Sequence, residues 1–429
     1  MKYNSVIIGG GLAGFTCGLQ ILKAGLTCAV FSGGANALHF SSGSIDLLGR
    51  HPGLSVVYSP MEFLADFISA HPEHPYAKCG IDLITDSLHF FRRQISSQGL
   101  EFYSNGQNNH FHITALGGIK PTFLSPPTVF NDRIKAAFEN RSPLAILTFE
   151  GFRDFQPALA AANLAKLPMF RDSQIITGRI KLPTPRDVTY AHPDLKSIDI
   201  CRFMEEPQAP AELAKQIMQV AAPAHLVALP ACLGLERHQQ IVTELQDLTG
   251  KLIYESPTLP PSILGLRLDQ ALKKQFTDLG GILISGDRVI GGEIMTGRLD
   301  HIHTRNYGRA RIKADSFVLA PGSFFSGGLT SFVGQVSEPI FDLAVEFDAN
   351  RSNWSSPKFL DPSGHAFLSF GLHTDRDLRP RNRQGQIISN LYCAGAVLAG
   401  YDPIREGTGG GVAIATGYKA ARQIIGRQA

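Results

Sequence analysis

Ser5-Val6-Ile7-Ile8-Gly9-Gly10-Gly11-Leu12-Ala13-Gly14 reads as a short apolar strand that breaks into a glycine turn and continues as a helix. The run Val6 to Ile8 suits a strand buried on both faces, and the apolar periodicity that follows predicts a helix from about Leu12 to Ala24. The spacing Gly9-x-Gly11-x-x-Gly14 gives each glycine a task. Gly9 permits the tight turn, Gly11 lets backbone approach a pyrophosphate, and Gly14 lets the helix pack close on the strand. The helix start then offers unpaired N–H groups and a positive dipole end to phosphate. A second apolar strand, Cys28 to Phe31, follows at the distance a strand–helix–strand unit requires.

Working outward, two further segments look like parts of the same domain. Leu264 to Leu279 carries helical periodicity and stops at Gly280-Gly281. Ile282–Ile284, Val289–Gly291, His301–Thr304 and Ala310–Lys313 then alternate as a small antiparallel meander would, and Ser316 to Gly322 reads as a strand ending in glycine. Near the C-terminus, Leu391 to Gly395 predicts a strand, Gly407-Thr408-Gly409-Gly410-Gly411 a turn, and Val412 to Ile425 a helix. The fold class expected is α/β: a Rossmann-like FAD/NAD(P)-binding fold, three-layered with a mostly parallel sheet, plus an inserted α+β cap. The nucleotide domain takes residues 1–50, 261–330 and 385–429. The cap takes 51–260 and 331–384, which are richer in Pro, Phe and His. Within the cap, helices are predicted at Pro60–Ala70, Asp82–Gln98 and Glu236–Leu248, and strands at Leu144–Phe149 and His225–Leu229.

Bulk properties narrow the function. A chain of 429 residues is too long for one small domain, and its net charge of +3 creates no field that would draw nucleic acid or an anionic bilayer. This counts against an RNA-modifying flavoprotein, which needs a basic face. No apolar run is long enough to span a membrane. The first strand begins by Ser5 and leaves no room for a secretory signal, so a cytoplasmic address is expected. Cys17, Cys28, Cys79, Cys201, Cys232 and Cys393 are scattered, with no spacing for an iron–sulfur cluster or a metal. If the chain handles electrons, another protein must carry them away.

Several residues are candidates for a site. Ser32 stands where Rossmann sites usually place a ribose-reading carboxylate; it either makes a weaker ribose contact or caps a turn. Ser41, Ser42 and Gly43 either form an anion-binding concavity or a solvated loop. Gly407, Thr408, Gly409 and Gly410 either aim a helix start at a ligand or serve close packing. Gly322 and Gly395 end the two later strands. His365, His373 and Arg405 are the candidate catalytic groups, with Arg376, Arg379, Arg381 and Arg383 nearby. A histidine could take a hydroxyl proton, and an arginine fork suits phosphate; a solvated charged loop is the alternative. His110 and His112 have no metal-ligand spacing with neighbours. Only one GxGxxG is present, which favours a flavin protein without its own NAD site.

On Val6–Gly14, Phe40–Leu47 (FSSGSIDL), Pro257–Leu268 (PTLPPSILGLRL) and Leu391–Pro403 (LYCAGAVLAGYDP), the chain resembles the B subunits of anaerobic glycerol-3-phosphate dehydrogenases, within the fumarate-reductase-like flavoprotein fold. The resemblance implies a complex on the cytoplasmic face of the inner membrane. In it, an FAD-containing A subunit and an iron–sulfur, membrane-associated C subunit accompany this chain. The complex would oxidise sn-glycerol 3-phosphate to dihydroxyacetone phosphate and pass electrons to quinone during anaerobic growth on glycerol. The family's B subunit is assigned FMN. Many FAD enzymes of this fold follow the C-terminal strand with Gly-Asp, whereas here Gly395 is followed by Ala396. With Ser32, both usual carboxylates are missing. That suits FMN over FAD, and it equally suits a scaffold chain that has lost its cofactor.

Overall fold

The computed structural model describes residues 2–51, 55–182, 195–308 and 310–428. Lys2–Ile8 forms the central strand of a five-stranded sheet, flanked on one side by Lys313–Leu319 and Leu391–Cys393 and on the other by Cys28–Ser32 and Ile282–Ser285. Every pairing in it is parallel. Val6, Ile7, Val30, Phe317 and Val318 are fully buried, as strands covered on both faces must be. Strands far apart in the chain, from Lys2 to Cys393, therefore meet in one sheet.

Two expectations needed correction. Ile282–Ser285 is not part of a meander; it pairs in parallel with Cys28–Ser32 through Ala29 and Ile282. The helix Ile263–Asp278 supplies the crossover, and Gly280, at φ +84°, turns the chain back to the sheet edge. Of the expected meander, Val289–Met295 and Arg298–Thr304 form an antiparallel hairpin, which Ile312 joins by a single bridge to Ile302. The final helix also begins earlier than predicted. It spans Gly409–Gly426, so its first turn is made of glycines.

A second sheet, also parallel, orders Ile175–Ile180, Leu144–Phe149, Leu226–Pro230 and Leu252–Ser256. Its apolar core draws on residues between Ile113 and Leu264. The helices Pro60–Ala70 and Ile81–Ser96 bury Leu64, Phe67, Phe90 and Phe91 in the first core instead, where Phe90 stands 5.3 Å from the Tyr418 ring of the final helix. A fully buried ion pair ties the two cores together. Arg267, on Ile263–Asp278, makes two hydrogen bonds of 2.7 and 2.9 Å to Glu255 on the second sheet. His238 and Thr128 add bonds of 2.8 and 2.9 Å to the same carboxylate. Burial alone would raise the Glu255 carboxyl; Arg267 and His238 outweigh it and hold the group well below the usual carboxylate range.

Candidate functional site

The first glycine turn is built by close approach. Gly9 sits at φ +116° and donates its N–H to Phe31 O at 2.8 Å; a Cβ there would lie 2.1 Å from Ala320 O. A Cβ on Gly14 would fall 2.0 Å from Gly9 O. Gly11 differs. Its backbone is extended and open to any residue, and an added Cβ would meet nothing within 4 Å. Its missing side chain serves the space beyond the turn, not the packing beneath it. Leu12, Ala13 and Gly14, in the first turn of Leu12–Lys23, have N–H groups with no intrahelical acceptor, and Leu12 and Ala13 line that space.

The C-terminal segment comes to the same place. A Cβ on Gly395 would lie 2.9 Å from Ala13 Cβ, and one on Gly417 only 2.3 Å from Ala13 O. The two helices that open and close the chain are thus in backbone contact. Their N-terminal ends share a cavity of about 1000 Å³, within the range of cofactor sites. It is lined by residues 8–13, 31–38, 40–42, 44–46, 288–290, 320–322, 325–327, 339–340, 394–396, 409–410 and 413, with Lys120.

Of the candidates from sequence, Gly9, Gly11, Ser32, Ser41, Ser42, Gly322, Gly395, Gly409 and Gly410 line this cavity, and Gly14, Gly43, Gly407 and Thr408 do not. Gly43, at φ +72°, presses against Leu264, where a Cβ would come within 2.4 Å. Gly407 is the left-handed cap of the short helix Pro403–Glu406, and Thr408 is buried with its hydroxyl donating to Glu406 Oε2 at 3.0 Å. The glycine cluster also serves packing. A Cβ on Gly411 would lie 2.0 Å from the Tyr76 hydroxyl, and one on Gly410 3.1 Å from Ile45. Ser32 donates to Gly34 O at 3.1 Å, a turn cap, while still forming part of the wall.

None of the three candidate catalytic side chains lines the cavity. His365 is fixed in its own loop: Nδ1 accepts from Ser356 N–H at 3.1 Å and Nε2 faces Phe359 O at 2.9 Å. His373 is half-exposed and pairs with Glu73 at 3.3 Å. Arg405 lies on Pro403–Glu406, beside Gly364. In the arginine-rich segment, Arg379 is committed to Asp375 and Asp377 and Arg381 to Gly385 O, while Arg383 reaches the distant Asp342. Glu406 organises the turn before the final helix. His74 Nδ1 accepts from Tyr76 N–H, so Nε2 carries the proton and donates to Glu406 Oε2 at 3.1 Å.

Sequence reasoning missed the amide and charged side chains of the cavity wall, Asn36, Asp46, Lys120 and Arg288. Asn36 donates to Gly10 O and to Asp269, both at 2.7 Å, which holds the glycine turn to the helix Ile263–Asp278. Arg288 stands beside Gly33, near the end of the second strand. Lys120 comes from the hairpin His110–Ile113 with Ile119–Thr122, and it reaches Asp46 at 2.6 Å and Ser42 at 3.3 Å. Asp46 lies inside the FSSGSIDL stretch; nothing in the sequence points to its partner. Elsewhere, Glu293, Asp300 and His301 bring potential metal ligands within 4.8 Å of one another, but Lys313 already occupies Asp300 at 3.2 Å.

Behind the wall, His112 Nδ1 meets Ser44 Oγ at 3.1 Å, Ser44 meets Ser125 at 2.8 Å, and Ser125 meets His110 Nε2 at 2.7 Å. Burial pushes His110 down to about 3, and His112 well below its ordinary value with help from Lys120. Both imidazoles stay neutral when folded, while in the unfolded chain they protonate below about pH 6.5. Their contribution to stability is therefore complete above pH 6.5 and falls as the pH drops. Lowering the pH from 6.5 to 5.5 is expected to remove about 2 kcal/mol through these two groups. Urea unfolding at the two pH values checks this, and His112→Asn should shrink the difference.

A family model described as an FAD binding domain matches residues 4–412. A protein of Vibrio cholerae serotype O1, named as the B subunit of anaerobic glycerol-3-phosphate dehydrogenase, is 41% identical over 426 residues, covering 99% of this chain and 97% of its own length. A protein of the same name from Aliivibrio fischeri is 39% identical over 436 residues, covering 99% and 96%. Among solved structures, the 3-ketosteroid delta1-dehydrogenase of Sterolibacterium denitrificans covers 99% of this chain and is itself covered in full, at 11% identity and a TM-score of 0.45.

Proposed function

Because the chain belongs to the FAD binding domain family and to the family of anaerobic glycerol-3-phosphate dehydrogenase B subunits, we propose that it is a flavin-dependent subunit of a quinone-linked glycerol-3-phosphate dehydrogenase complex. The observation that carries the flavin reading is the single cavity between two helix starts, with Gly11 leaving open space where a phosphate would approach. A bound flavin would supply the means to take two electrons from an alcohol carbon and release them onward. This chain's residues would hold such a group: the first-turn N–H groups of Leu12 and Ala13 would receive its phosphate, and the start of Gly409–Gly426 would offer a positive dipole end to the carbonyls of its ring. Gly322 and Gly395 keep the facing strand ends free of side chains.

In this reading, sn-glycerol 3-phosphate is oxidised to dihydroxyacetone phosphate within the complex. Electrons leave through iron–sulfur clusters of a membrane-associated C subunit toward quinone, alongside an FAD-containing A subunit. The chain's own thiols suit that division of labour. Burial raises all six, Cys79 and Cys201 to about 12, so the free thiols stay protonated. No helix among the described residues is long and apolar enough to cross a membrane, in keeping with attachment on the cytoplasmic face through a partner. The inserted segments 51–260 and 331–384 would then dock partners or cover substrate.

FMN is the flavin we favour, because Ser32 and Ala396 replace both carboxylates that FAD enzymes of this fold usually present. FAD is the second reading, and one observation supports it. The cavity continues past the phosphate position between residues 31–38 and Arg288–Ile290, where an adenosine would lie. Mass spectrometry of the small molecules released by acid from the intact, purified complex decides. FMN beside FAD is expected; FAD alone at two per complex favours the second reading. FAD at one per complex, with no uptake of flavin by this chain, would leave it a cofactor-free scaffold.

A further inference from the structure

Among the described residues, Asp46, Lys120 and Arg288 are the ionisable side chains in the cavity wall. Their placement is unequal. A phosphate at Gly11–Ala13 would direct any adenosine toward Ser32 and Arg288, and so the flavin ring toward Gly395, Gly409, Asp46 and Lys120. Lys120 Nζ and Asp46 Oδ2 are 2.6 Å apart, and the carboxylate is 15% exposed. Asp46 lies against the first turn of the final helix: its carbonyl accepts from Gly411 N–H at 2.8 Å, and a Cβ on Gly410 would fall 3.2 Å from its amide nitrogen. Asp46 Oδ1 is buried with no hydrogen-bond partner in the protein, an acceptor left open.

The pair is held from two sides. Ile45 bridges to Leu124, and Thr122 donates to Ile45 O at 3.2 Å, which fastens the 41–46 loop to the end of the hairpin. Directly across that hairpin from Lys120 is His112, bonded to Ser44 of the same loop. Lys120 is thus a cation delivered by the hairpin His110–Ile113 with Ile119–Thr122 to the end of the cavity where the first turn of the final helix lies.

We propose that the Lys120–Asp46 pair sets the reduction potential of the flavin bound here, with Lys120 stabilising the negative charge that reduction adds and Asp46 opposing it. The inference rests on the flavin reading above. No bond is made or broken; the ring's added electrons come from the reaction already proposed, and the pair changes only their free energy. In a partly buried site, such charges act more strongly than in water.

The test is the two-electron midpoint of the flavin-loaded full chain, followed by absorbance in a redox titration. Lys120→Met should lower the midpoint and Asp46→Asn should raise it. Each shift should reflect at least a tenfold change in the relative affinity for reduced and oxidised flavin, about 30 mV for a two-electron couple. Lys120→Arg, which keeps the charge, should stay near the unsubstituted protein. Shifts in the same direction for Lys120→Met and Asp46→Asn, or none, would overturn the proposal. If Lys120→Met does not fold, the Asp46→Asn midpoint decides: upward supports, downward or unmoved overturns. An unsubstituted chain that takes up no flavin would instead refute the flavin reading itself.

Discussion

Gly11→Val should abolish flavin retention while leaving the fold intact. The backbone at Gly11 is extended at φ −96°, so valine introduces no left-handed strain, and its Cβ would meet no protein atom within 4 Å. Valine in place of glycine at a helix N-cap costs up to about 1 kcal/mol. The added methyl groups point instead into the space where backbone amides would contact phosphate. Affinity for flavin should fall at least a hundredfold, about 2.8 kcal/mol, as read by fluorescence titration. Gly9→Ala and Gly14→Ala make the contrast, since their methyl groups would lie 2.1 and 2.0 Å from backbone oxygens. Those variants should lose stability before they lose anything else. A Gly11→Val protein that binds flavin normally would remove the phosphate from this turn.

Arg267→Met is expected to cost about 3–5 kcal/mol of stability, because it leaves the Glu255 carboxylate buried without its strongest partner. Glu255 is fully buried and Arg267 5% exposed, so water cannot replace the guanidinium. His238 and Thr128 would remain, but they cannot return two charge-assisted bonds. The pair joins the helix Ile263–Asp278 to the second sheet, so its loss should loosen the inserted region from the flavin site. Adding Glu255→Leu should recover much of the deficit by removing the stranded charge. Urea midpoints of the single and double variants measure both effects; equal midpoints for Arg267→Met and the unsubstituted chain would mean the pair contributes nothing.

Local signals in the sequence carried much of the fold. Leu144–Phe149 and Pro60–Ala70 are found at their predicted bounds, because an unbroken apolar run and a proline-led amphipathic stretch specify strand and helix without distant help. The glycine spacing at 9, 11 and 14 likewise located the turn. Ile282–Ser285 went astray because the three apolar residues Ile282 to Ile284 do not say which strand they pair with; the preceding helix decides that. The site was half legible. Backbone-lined parts announce themselves through glycine, whereas Lys120 gains its meaning only by meeting Asp46 across the fold. The arginines near 376–383 misled for the opposite reason. Arg379 and Arg383 are already tied to aspartates, and a residue count cannot show that.

A crystal structure of the full chain with its flavin tests most directly whether both ends of the chain hold one molecule. The expected density places a phosphate against the amides of Leu12 and Ala13 and the ring against Gly409 and Gly410, with Lys120 beside it. Flavin bound elsewhere on the chain, or a cavity filled by solvent at saturating flavin, would contradict the shared site.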